Sequence, residues 1–70
     1  MTDDQFLKQL GSKIRKARIA QGISLQKLSR MCDRDYAALW KIEMGRSNAR
    51  VLTIVLVAKA LDLDLRELIK

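Results

Sequence analysis

Seventy residues allow one small domain, residues 1–70, and 14 Lys and Arg against 8 Asp and Glu give it a formal charge of +6. A single cysteine and the absence of histidine exclude a disulfide scaffold, a zinc finger and any nucleophile that needs a histidine base. The acidic start Met1–Gln5 lacks the apolar run of an export signal, and the apolar stretch Val51–Ala58 is far short of a membrane span, so a cytoplasmic chain with a reduced Cys32 is expected.

Proline is absent, glycine occurs three times, and no stretch alternates cleanly between apolar and polar, so the chain is expected to be all-α. Phe6, Leu7, Leu10, Ile14 and Ala17 recur at helical spacing behind Asp3 and Asp4, which suit the positive end of a first helix. Gly22 stands where a left-handed residue ends that helix. Ser24 is an N-cap for a short second helix with Leu28 and Met31, and Cys32 beside them, on its core side. Cys32-Asp33-Arg34 breaks the pattern, Asp35 caps a third helix with Leu39 and Ile42 inward, and Gly45 stops it. After the polar loop Arg46–Ala49, a fourth helix turns Val51, Ile54, Val57, Ala58 and Leu61 to the core. Asp64 and Glu67 form a capping box for a last short helix from Leu65 to Ile69. Five helices without linker or repeat make a compact bundle.

The charge is uneven. From Lys13 to Arg50 ten basic residues face only Asp33, Asp35 and Glu43, a local charge of +7 that leaves the two ends together at −1. A charge run is ordinarily a solvated face, but concentration in one half is the footprint of a polyanion binder. Nucleic acid is the first partner to consider and an acidic membrane surface the second.

The second and third helices, with three residues between them, have the spacing of a helix-turn-helix, about residues 25–44, in which the second helix of the pair enters the DNA major groove. The strings Ile23-Ser24-Leu25, Leu28-Ser29 and Leu39-Trp40-Lys41-Ile42-Glu43-Met44-Gly45-Arg46-Ser47-Asn48 resemble the lambda-repressor-like, Cro-type helix-turn-helix family. The resemblance extends upstream to Ile14-Arg15 and Arg18 and downstream to Leu65 and Leu68, covering about residues 10–69. It implies a compact five-helix DNA-binding domain acting as a homodimer on operator half-sites. Position by position it implies base contacts from Tyr36, Ala37, Trp40 and Lys41. It likewise implies phosphate contacts from the start of the second helix (Leu25, Gln26, Lys27) and from Arg46, Ser47 and Asn48. Glu43 is implied to pair with Arg18 as a structural ion pair. The chain departs from the family pattern at Asp33, where a turn glycine is usual, and at Leu25, Arg34, Ala49 and Arg50.

Tyr36 and Trp40, two of only three aromatics, sit four apart, opposite Leu39 and Ile42. An aromatic at helical spacing is ordinarily core, yet the inward side is already filled, so an exposed pair for a groove or a protein partner is expected. Apolar side chains can meet thymine methyls and Lys41 can donate to a guanine. On the fourth helix Leu52, Val55 and Leu56 form a second apolar stripe, either a wide core face or a two-fold dimer contact. Cys32 reads as a small core residue. The expected function is a DNA-binding transcriptional regulator, a homodimeric repressor on a palindromic site. The alternative is a protein-interaction module, antitoxin-like, docking through Tyr36, Trp40 and Met44. No glycine-rich phosphate loop, metal cluster or catalytic constellation points to an enzyme or a cofactor.

Overall fold

The computed structural model describes residues 3–69; of the acidic start read above, Met1 and Thr2 lie outside the described residues, as does Lys70. Five helices follow in order: α1 (Asp3–Ala20), α2 (Leu25–Cys32), α3 (Tyr36–Glu43), α4 (Val51–Ala60) and α5 (Leu65–Ile69), with no strand among the described residues.

The helix ends share one device. Gly22, Asp33, Gly45 and Asp62 all adopt positive φ, between 52° and 71°. In each case the next amide closes a wide turn on the preceding helix: Ile23 to Arg18, Arg34 to Ser29, Arg46 to Lys41 and Leu63 to Ala58. Two of the four are aspartates, which tolerate the left-handed region better than most residues. Short polypeptide segments can therefore reverse direction without proline. The start of α2 is equally defined, because the Ser24 hydroxyl accepts from the Lys27 N–H at 3.0 Å. Asp35 holds the N-cap position of α3 but makes no side-chain capping bond. At α5, Asp64 caps by accepting from the Arg66 N–H at 2.9 Å.

Leu10, Ile14, Leu25, Leu28, Cys32, Leu39, Ile42, Ile54, Val57, Ala58, Leu61 and Leu68 form one core. Three assignments from the sequence change. Met31 faces solvent, while Leu25 takes the inward side of α2 beside Leu28 and Cys32, both of which fall where the sequence places them. At 100° per residue, 25, 28 and 32 share one stripe, and 31 lies at its edge. Cys32 is the last residue of α2, so the turn is Asp33–Asp35. Val51 is 74% exposed and Phe6 is also open, because both line a groove of about 390 Å³ between the starts of α1 and α4 and the last helix.

α1 packs across α3 and α5, and α2 packs on α3 and α4. Gly11, in the middle of α1, lies so near the Ile42 and Glu43 carbonyls that a Cβ would collide with backbone. Gly45 similarly touches the Lys8 backbone, with a hypothetical Cβ 2.8 Å from its Cα. These two approaches seat the C-terminal end of α3 directly against α1. Gln21 ties the other end of α1 to α4, its amide donating to the Leu61 carbonyl at 2.6 Å.

Candidate nucleic-acid interface

α3 is eight residues long, and its wheel separates two functions. Leu39, Ile42 and Glu43 are buried. Tyr36, Ala37, Trp40 and Lys41, at positions i, i+1, i+4 and i+5, form the opposite arc, and all four are exposed. Tyr36 is 50% and Trp40 40% accessible, so neither aromatic belongs to the core. The face presents a phenol, an indole and an ammonium around a small Ala37 that admits close approach.

Beneath that face lies the one buried charged group among the described residues, Glu43, 8% exposed. Its carboxylate accepts from Arg18 Nε at 2.8 Å and from Nη2 at 3.0 Å. The third guanidinium nitrogen, Nη1, donates to the Ile23 carbonyl at 2.8 Å. The geometry is two-pronged, matching a planar fork to a planar carboxylate. Hydrogen bonding to Glu43 outweighs desolvation and holds the Arg18 guanidinium above its ordinary pKa. Arg18 thereby links the end of α1, the turn before α2 and the last residue of α3. No buried side-chain nitrogen or oxygen among the described residues lacks a partner.

The residues that the family resemblance implies as phosphate contacts fall in two places. Gln26 and Lys27 are exposed in the first turn of α2, whose amide ends carry the partial positive charge that favours an anion. Leu25, between Ser24 and that pair, is core and offers no side chain to a phosphate. Arg46 is exposed, and its guanidinium carbon lies 5.6 Å from the centroid of the Trp40 ring. Asn48, by contrast, lines the apolar groove with Phe6, Leu7 and Val51. Ser47 is half-buried between them. The loop therefore sends Arg46 toward α3 and Asn48 toward α1.

Of the second stripe on α4, Leu52 is 61% exposed, while Val55 and Leu56 are half-buried. Cys32 is buried, and burial raises its thiol pKa against the lowering effect of the Arg34 charge. No helix among the described residues is long and apolar enough to cross a membrane. Sequence reasoning missed the Trp40–Arg46 contact, the groove, Asp62 as a helix stop and the close approach at Gly11. For Gly11 a signal existed, since a glycine inside an amphipathic helix costs about 1 kcal/mol against alanine and marks a close neighbour.

A helix-turn-helix family model, HTH_3, matches residues 14–68, which include all of α2, the turn and α3. The chain belongs to this helix-turn-helix family. Solved structures agree in fold. The restriction-modification controller protein C.AhdI from Aeromonas hydrophila is 32% identical and superposes with a TM-score of 0.86, over 89% of this chain and 94% of that one. A hypothetical transcription factor, NHTF from Neisseria, is 28% identical with a TM-score of 0.86, over 100% and 82% of the two chains. The DNA-binding domain of BldD is 25% identical with a TM-score of 0.84 over the full length of both. No curated protein matches the sequence. As a helix-turn-helix protein of this family, the chain has its second motif helix, α3, seated by α1 from one side and open on the other.

Proposed function

We propose that this protein is a transcriptional regulator that binds double-stranded DNA as a homodimer, each protomer laying α3 in the major groove of one half of a palindromic operator. Repression follows from occupancy, because a dimer across the site excludes polymerase. The observation that carries this reading is the split of α3. Its inward arc is fixed by Leu39, Ile42 and the Arg18–Glu43 pair, and its outward arc carries Tyr36, Ala37, Trp40 and Lys41 in the open. A major groove about 12 Å wide admits such a helix. Lys41 donates to a guanine edge, and Tyr36 and Ala37 lie against thymine methyls. Gln26, Lys27, Arg46 and Ser47 hold the sugar-phosphate backbone, and Asn48 has a place there only at the loop's far edge. Support comes also from C.AhdI, a controller protein, and from BldD, whose superposed part is a DNA-binding domain.

The dimer reading rests on the open apolar start of α4, where Val51 and Leu52 are the most exposed large apolar residues of the described chain. Two such patches related by a two-fold axis cover each other and set the spacing of the two α3 helices. Selection of bound sites from random duplex DNA tests the whole reading. It should return a palindrome whose half-sites lie about 34 Å apart, centre to centre. Recovery of unrelated sequences, or of none, would count against it.

A further inference from the structure

Arg46 is held twice. Its backbone N–H donates to the Lys41 carbonyl at 2.9 Å, completing the turn in which Gly45 takes φ 71°. Its guanidinium then lies over the indole of Trp40, with the central carbon 5.6 Å from the ring centroid, inside the roughly 6 Å range of a cation–π contact. A contact with a ring face uses none of the five guanidinium N–H donors, and Arg46 makes no ion pair among the described residues. The side chain is therefore oriented yet keeps its donors for an incoming anion. Trp40 itself has a single donor, its indole N–H, and no acceptor, which equips it poorly to tell one base pair from another.

We propose that Trp40 is a positioning residue that acts on DNA through Arg46, setting the guanidinium for a backbone phosphate before the duplex arrives. This rests on the DNA-binding reading above. It joins the third helix to the loop that follows it, so that one end of the helix grips while Lys41 reads. An arginine left free would lose its rotamer freedom on binding, whereas one already lying on the ring loses less. Sparing that ordering cost corresponds to about a two- to fivefold effect per protomer, or about four- to twenty-fivefold for both protomers of a dimer.

The test uses the full chain and a duplex that it selects. Trp40→Leu keeps apolar volume and removes the ring face, Trp40→Phe keeps a weaker ring face, and each is combined with Arg46→Ala. Thermal melts identify the folded variants, and the Phe variant carries the comparison should the Leu variant not fold. Trp40→Leu should weaken binding by the factor above in the parent chain and leave it nearly unchanged once Arg46 is alanine. Trp40→Phe should retain more than half of the coupling. In the free protein, the Arg46 side-chain protons should resonate upfield from ring current and return to ordinary positions in Trp40→Leu. Equal losses in both Arg46 backgrounds would overturn the proposal, since the indole would then contact DNA itself. Ordinary Arg46 shifts in the parent chain would overturn it as well. A parent chain that binds no duplex at low salt removes the DNA reading and the phosphate role with it, and the proton shifts alone then report whether the ring holds the guanidinium.

Discussion

The outer face of α3 and the open start of α4 both show large apolar side chains to solvent, but the chain supports them in opposite ways. α3 is fixed from beneath by the bidentate Arg18–Glu43 pair, by the backbone approach at Gly11 and by the Gly45 turn against Lys8. α4 is preceded by Arg50, which makes no side-chain capping bond, and its first residue, Val51, lines a groove rather than meeting a packed neighbour. Around α3 the rim is cationic, with Lys41 and Arg46 beside the aromatics. Beside Val51 the groove is lined by Phe6, Leu7, Leu10, Ile54, Leu65 and Ile69, and Leu52 stands exposed outside it. A surface that must match the fixed geometry of a duplex benefits from a rigid seat. A surface that meets a copy of itself requires mainly area and shape, and it can settle on contact.

Breaking the seat should have the largest effect. Glu43→Ala leaves the Arg18 guanidinium, whose side chain is only 12% exposed, without its carboxylate, at a cost of about 3–5 kcal/mol. With a total near 5 kcal/mol for a domain of this size, the variant should be largely unfolded by circular dichroism at 25 °C. The exposed Arg66–Asp64 pair provides the control, since its side chains are 84% and 45% accessible and solvent screens it. Arg66→Ala should leave the melting curve almost in place.

Breaking the second face should spare the fold and remove bivalent binding. Leu52→Lys combined with Leu56→Glu is expected to sediment as a folded monomer. Its operator affinity should fall about a hundredfold, through loss of the linked second half-site. A variant that keeps the parent's association state would show that the dimer forms elsewhere. On α3 itself, Lys41→Ala should cost about 1–3 kcal/mol on the preferred site and flatten discrimination at one base pair per half-site. Unchanged discrimination would make Lys41 another phosphate contact. The smallest effects belong to the caps. Ser24→Ala loses a formed hydrogen bond, about 1 kcal/mol, whereas Asp35→Ala loses only a charge near a helix start, about 0.3–0.5 kcal/mol.

What the sequence made legible follows from where physical constraint is local. Helix spacing, the Ser24 cap and the stops at Gly22 and Gly45 depend on neighbours within a turn, and each falls where the pattern places it. The outward placement of Tyr36 and Trp40 was readable because Leu39 and Ile42 had already taken the inside. The exchange of Met31 for Leu25 was harder to see, because α2 is only eight residues long and four apolar side chains compete for one stripe. Val51 and Phe6 failed as core assignments for a different reason. Periodicity gives a face but not whether another helix covers it, and the groove between α1, α4 and α5 leaves both uncovered. The partnership of Arg18 with Glu43, 25 residues apart, came from family resemblance, while that of Trp40 with Arg46 hides in a turn whose course depends on Gly45.

The central claim is that the cationic face around α3 binds the phosphate backbone of DNA. Affinity for a selected operator duplex, measured across a range of salt concentrations, tests it most directly. If each protomer neutralises three to five phosphates, the dimer should bind near 10⁻⁸ M at physiological salt, and log K should fall with log salt at a slope of about −5 to −9. Failure to bind any duplex at low salt, or an affinity indifferent to salt, would contradict the account.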